Sequence, residues 1–162
     1  MGIFDIFKKK NKSSIILSPT NGEILELSYV PDEVFSNKIM GDGFAIKSND
    51  GVIVSPVDAT VEMIFDTKHA MGLKTDDGLE LLIHLGIDTV NLKGEGFEIF
   101  TNVGDKVKAG DKIMKMDVDF IKNNATSDIS PIIFTSLEDG QSVKIVTGAV
   151  EAKEENRIEI VK

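Results

Sequence analysis

The chain has 162 residues, 41% hydrophobic and 6% aromatic, and its 27 acids against 18 lysines and arginines give a formal charge of −9. Such a length buries one good core. The acidic balance argues against sequence-independent nucleic-acid binding, which needs clustered Lys and Arg to neutralise phosphates, and favours partners with basic faces. The lack of Cys excludes disulfides, thiolate metal sites and thiol nucleophiles and fits a cytoplasmic location. No apolar run approaches the roughly 20 residues of a membrane span, and no signal-peptide core follows Met1.

Residues 1–13, MGIFDIFKKKNKS, crowd Ile3, Phe4, Ile6 and Phe7 ahead of Lys8, Lys9, Lys10 and Lys12. Wound as a helix, this is a short amphipathic segment with a basic end, suited to an anionic membrane surface; in free solution a solvated, flexible tail is expected. Ile6 stands where the myristoylation pattern wants Ser or Thr.

From residue 14 the pattern changes to short apolar runs separated by turn residues, which predicts strands of about five or six residues. The expected strands are 15–18, 23–27, 44–47, 51–55, 60–65, 70–74 and 78–85, with Pro31-Asp32-Glu33-Val34-Phe35 as one helical turn and Gly41-Asp42-Gly43 as a tight turn. Further strands are expected at 97–100, as a pair around Ala109-Gly110-Asp111 within 103–118, and at 131–136, 143–147 and 157–161, with a short helix at 118–125. Strand after strand without a long helix favours an antiparallel sandwich or barrel. No linker rich in Pro, Gly or Ser divides residues 14–162, which are read as a single domain.

The most informative stretch is GLELLIHLGIDTV at 78–90. In a strand, Leu81, Ile83 and Leu85 share one face, and Glu80, Leu82 and His84 share the other. The second histidine, His69, ends Phe65-Asp66-Thr67-Lys68-His69; if that stretch is extended, Phe65, Thr67 and His69 share a face and Thr67 can hydrogen-bond the ring of His69. The two rings meet if their strands are neighbours, and otherwise each is an ordinary strand histidine. Paired imidazoles have two uses. Zinc would be short of ligands at His69 and His84 unless Asp88 or a partner protein completed the set, so no intrinsic metal site is expected. Phosphoryl transfer needs a neutral imidazole as nucleophile and a second group to steady the charge.

FDTKHA at 65–70, GLELLIHLGIDTV, KIMGDGFAI at 38–46, SPVDATV at 55–61, LKGEGF at 92–97 and VGDKVKAGDKI at 103–113 together resemble the glucose-type IIA component of the bacterial sugar phosphotransferase system. The resemblance runs over most of residues 15–161. It implies an all-β, antiparallel β-sandwich of the duplicated hybrid-motif type with very short helices. It further implies that His84 accepts a phosphoryl group from the carrier protein HPr through Nε2 and passes it to the IIB part of a sugar permease. His69 would stabilise the phosphoryl group, Thr67 would orient His69, and the Gly86 carbonyl would hold Nδ1 of His84. A partner-binding patch maps onto Val34, Phe35, Ile39, Met40, Phe65, Leu82 and Val90, with Asp32 and Asp88 at its rim, suited to arginine on an approaching carrier. Leu82 and Leu85 stand where many members have Phe, so the patch is less aromatic.

The family reading implies no cofactor beyond a transient phosphohistidine, and a location in the cytoplasm or at the inner face of the membrane. Regulation fits beside transfer: phosphate would repel transporters or metabolic enzymes that bind the unmodified form. Two alternatives are a regulatory binding protein without transfer and a biotinyl- or lipoyl-type carrier modified within Met114-Lys115-Met116. The second would need Lys115 at a hairpin tip, whereas the pattern puts it inside a strand, facing solvent.

Overall fold

The computed structural model describes residues 15–162, so the amphipathic reading of residues 1–13 lies outside the described residues. Thirteen strands run in chain order: β1 Gly22–Leu25, β2 Asp42–Ser48, β3 Val52–Val54, β4 Ala59–Ile64, β5 Ala70–Lys74, β6 Glu80–His84, β7 Phe97–Ile99, β8 Lys106–Val107, β9 Lys112–Met116, β10 Ser130–Phe134, β11 Ser142–Ile145, β12 Gly148–Val150 and β13 Ile158–Val161. The helices are α1 Glu33–Ser36 and α2 Val118–Asn124, with 3-10 turns at Leu27–Tyr29 and Thr89–Leu92. Each helix starts on an aspartate that satisfies an otherwise orphaned backbone donor. Asp32 accepts from the Val34 N–H at 2.9 Å, and Asp117 accepts from the Phe120 N–H at 3.1 Å.

Eight strands form one sheet in the order β12-β1-β2-β10-β6-β5-β4-β8; β3-β9-β7 and β11-β13 form two smaller ones. The named strand pairs are all antiparallel. This is the all-β, antiparallel sandwich expected from the strand grammar. One face of the large sheet packs on the main core, where Phe44, Phe134, Ile46, Ile53, Leu73, Leu81 and Ile83 are all but sealed from solvent. Burying each such side chain stabilises the fold by about 1.5–3 kcal/mol.

The other face carries a smaller apolar cluster of Leu27, Val30, Phe35, Ala45, Ala70, Leu82, Ile87 and Ile133. The centre of the sheet is therefore covered on both sides, and the five residues of β10 are all buried. This second cluster fastens α1 and the 3-10 turn before it against the end of β6, which is where the histidines lie.

Several local expectations are corrected. The run 15–18 contributes only a bridge between Ile16 and Ile158, because Leu17 and Ser18 donate to the carbonyls of Pro56 and Glu154 in loops. The strand expected at 23–27 stops at Leu25, since Leu27 turns inward in the 3-10 turn and is buried. Asp42 and Gly43, expected in a turn, already belong to β2 and pair with Phe134 and Ile133. The two strands around Ala109-Gly110-Asp111 exist but enter different sheets, β8 beside β4 and β9 between β3 and β7. Lys115 lies inside β9, exposed, paired with Val52 on one side and Glu98 on the other. That is no hairpin tip, and the carrier reading loses its required geometry.

Candidate functional site

Strands β5 and β6 pair so that Ala70 faces His84, and the His69 carbonyl accepts the Leu85 N–H at 2.7 Å. This register brings the two imidazoles together, with centroids 4.8 Å apart and planes at 82°. The stretch 65–69 is not extended, as sequence spacing proposed. It is the turn joining β4 to β5, closed by Phe65 N–H to Ala70 O and Lys68 N–H to Phe65 O, with Lys68 at φ 59°. The turn nevertheless brings Thr67 Oγ1 to 2.7 Å from His69 Nδ1. The expected contact forms by different backbone geometry.

His84 Nδ1 lies 2.9 Å from the Gly86 carbonyl. A carbonyl only accepts, so Nδ1 carries the proton and Nε2 keeps its lone pair. Gly86 adopts φ +72°, and a Cβ there would sit 2.6 Å from Thr89 Cγ2 and 2.8 Å from the Ser127 carbonyl. Only glycine meets both demands. Two buried hydroxyls hold this corner: Ser130 Oγ accepts the Gly86 N–H at 2.9 Å, and Thr89 Oγ1 donates to the Leu85 carbonyl at 2.7 Å. Sequence reasoning missed both. Thr89 had a weak signal as a polar residue closing the run IDT after the strand, whereas Ser130 had none, lying 44 positions from its partner.

His69 is 2% exposed and His84 is half-buried. Burial, reinforced by the neighbouring His84, pulls the pKa of His69 down from 6.5 to about 4. His84 is also lowered, chiefly by burial, against the opposing pull of the Gly86 carbonyl and of the Asp32 and Asp88 carboxylates. Both rings are therefore neutral at pH 7.

Around the rings, Phe35 tilts on His84 at 4.9 Å and Phe65 meets His69 edge-on at 5.3 Å. Val34, Ile39, Met40, Phe65 and Val90 are exposed, as a docking patch requires. Phe35 and Leu82, expected in the same patch, are instead buried in the smaller apolar cluster, at 6% and 8% exposure. Asp32 is half-buried and Asp88 exposed; Asp88, at φ 61°, also accepts from the Thr126 hydroxyl. Among the described residues no three His, Asp or Glu side chains gather into a metal site. The two rings alone offer two ligands, and zinc would need the remainder from another molecule.

Comparison with known proteins agrees with this architecture. The chain belongs to the EIIA 1 family of the phosphoenolpyruvate-dependent sugar phosphotransferase system, whose family model matches residues 14–140. It is thus a phosphotransferase-system subunit. It is 44% identical over 156 residues to the glucose-specific EIIA component of Staphylococcus aureus strain N315, an alignment covering 96% of this chain and 94% of that protein. The Staphylococcus epidermidis counterpart from strain ATCC 12228 is 42% identical over the same length. The solved structure of glucose permease IIA from Mycoplasma capricolum superposes with a TM-score of 0.84 at 39% identity, covering 89% of this chain and 94% of that one. Among the described residues no helix is long and apolar enough to cross a membrane.

Proposed function

We propose that His84 is a phosphocarrier: Nε2 takes a phosphoryl group from phospho-HPr and delivers it to the IIB component of a glucose-type permease. The observation that carries this reading is the bond from His84 Nδ1 to the Gly86 carbonyl beside a second neutral ring. With Nδ1–H committed, the Nε2 lone pair is free to attack phosphorus. A P–N bond forms at Nε2 as the P–N bond to the HPr imidazole breaks, and the delivery step reverses this against the IIB nucleophile. The transferring group spreads negative charge over its oxygens. In this reading the Thr67 hydroxyl donates to Nδ1 of His69, which puts that ring's proton on Nε2, where it donates to a phosphoryl oxygen. A neutral donor suits a buried position, since a second charge there would be costly.

The phosphoryl group rides on a side chain, so the reading calls for no resident cofactor. Glucose is suggested by what the relatives are named for. Phosphate on His84 adds about 1.5–2 negative charges to an apolar face, which supports a regulatory role in which partners of the unmodified form are released. The apolar and lysine side chains of residues 1–13 support contact with an anionic membrane surface. Vesicle sedimentation tests that contact: a protein starting at Ser14 should lose binding to anionic lipid, and equal binding by both proteins removes it.

The test of transfer is phosphate uptake from phosphoenolpyruvate through the upstream carriers. His84→Ala should take up none. His69→Ala should still be labelled but deliver to IIB about 100-fold more slowly, in the range for loss of one transition-state donor. Label on the His84→Ala protein would overturn the assignment.

A further inference from the structure

Away from the histidines, the end of β2, strands β7 and β9 and the first turns of α2 surround a cavity of about 670 Å³. Small-molecule sites measure about 300–1,000 Å³. None of the residues around this one belongs to the histidine site or to the patch of Val34, Ile39, Met40, Phe65 and Val90.

Three exposed lysines from three elements converge on the cavity: Lys47 of β2, Lys115 of β9 and Lys122 of α2. The ion pairs among the described residues are Lys38–Asp42 and Arg157–Glu154, so no carboxylate neutralises any of the three. Glu98 lies directly opposite Lys115 in the β7–β9 register, yet the two do not close into a pair. Like charges gathered without partners repel, and a bound anion relieves the repulsion.

The acids of the cavity divide into two kinds. Asp50 and Asp117 are engaged by their own loops: Asp50 accepts from the Asn21 side-chain amide at 3.2 Å and the Val52 N–H at 3.0 Å, and Asp117 caps α2 through the Phe120 N–H. Glu98 and Asp119 are exposed, and their carboxylates accept no hydrogen bond among the described residues. The exposed Asn49 adds a side-chain amide to the same wall, and the half-buried Val118 adds apolar surface.

We infer that this cavity binds a sugar phosphate, its phosphate held by Lys47, Lys115 and Lys122 and its hydroxyls by Glu98, Asp119 and Asn49, with the C–H face of the ring on Val118. An ammonium group only donates, which suits phosphate oxygens, and a carboxylate only accepts, which suits hydroxyls. Carboxylates beside the lysines exclude a polyanion such as nucleic acid, whose successive phosphates would meet Glu98 and Asp119. The chain belongs to a family of the sugar phosphotransferase system, and a phosphorylated sugar is what phosphoryl transfer to a sugar yields. The site does not depend on His84 carrying the phosphoryl group.

The test is calorimetric titration of the full-length protein with glucose 6-phosphate, glucose and inorganic phosphate, with backbone amide NMR shifts locating the ligand. Glucose 6-phosphate should bind with Kd of about 1 mM or below, and glucose and inorganic phosphate at least tenfold more weakly. Shifts should centre on residues 47–50, 96–98 and 115–122. The triple variant Lys47→Gln/Lys115→Gln/Lys122→Gln should raise Kd at least tenfold, with Lys122→Gln alone carrying this arm if the triple variant does not fold. Glu98→Gln/Asp119→Asn should narrow the preference for glucose 6-phosphate over inorganic phosphate at least threefold. His84→Ala should bind as the unsubstituted protein does.

No binding of glucose 6-phosphate at about 10 mM overturns the inference. Inorganic phosphate binding as tightly overturns the sugar half of it, and so does an unchanged preference in the Glu98/Asp119 variant. An unchanged Kd in the lysine variants, or shifts centred on His69 and His84 and lost in His84→Ala, overturns the location.

Discussion

Burial of His69 ties the stability of the fold to pH in a way that one substitution can isolate. The unfolded chain binds a proton at residue 69 as the pH falls through 6.5, whereas the folded chain refuses it until about 4. Between those values the unfolded state holds more protons, so stability falls as the pH falls; the contribution is intact above 6.5 and fully lost below 4. At 1.36 kcal/mol per pKa unit the whole loss is about 3 kcal/mol. Solvent reaching the site past the half-buried His84 ring screens the charge and reduces this to about 2 kcal/mol. His69→Gln keeps an acceptor for Thr67 and does not titrate. Urea unfolding of both proteins at pH 7 and 4.5 cancels the carboxylates they share, and the unsubstituted protein should lose about 2 kcal/mol more than the variant. Parallel losses in the two proteins would refute the claim that burial holds this ring neutral.

The lowered pKa of His84 keeps its ring neutral further into acid than a free imidazole, so on the phosphocarrier reading the fall in phosphate-uptake rate with pH should have its midpoint below 6.5; a midpoint at or above 6.5 contradicts the shift. Ser130→Ala leaves the Gly86 N–H without its buried acceptor and should cost about 1–3 kcal/mol, read by denaturant melts. Gly86→Ala combines φ +72° with contacts at 2.6 and 2.8 Å. It should cost about 2 kcal/mol or more and slow phosphate uptake on His84 at least tenfold, because the carbonyl that fixes the ring moves; uptake at the unsubstituted rate would remove Gly86 from the site.

The strands at 70–74 and 80–84 were legible as short apolar runs bounded by turn residues, because they lie mid-sheet with side chains buried on both faces. β12 was not. Its three residues are too few to show a period, and the bend before it is held from a distance by Arg157, whose guanidinium donates to the carbonyls of Thr147, Gly148 and Ala149. The histidine pair was readable as chemistry but not as geometry: spacing suggested an extended 65–69, while Phe65 and Lys68 close a turn that delivers Thr67 to the same ring. Phe35 and Leu82 were placed on the right side of the sheet, but their depth depends on α1 packing over them, which periodicity does not record.

Each imidazole is clamped by a residue two positions away in its own strand end, His69 by Thr67 and His84 by Gly86. The Gly86 carbonyl fixes the tautomer of His84 locally, and the Thr67 hydroxyl, which can donate or accept, holds the ring of His69 in place. Only the gap between the rings depends on how β5 and β6 sit against each other. On the phosphocarrier reading, a docking protein that shifted β5 against β6 would alter that gap while the Gly86 carbonyl kept Nε2 of His84 free. One preset nucleophile would, on that reading, meet two successive partners of different shape.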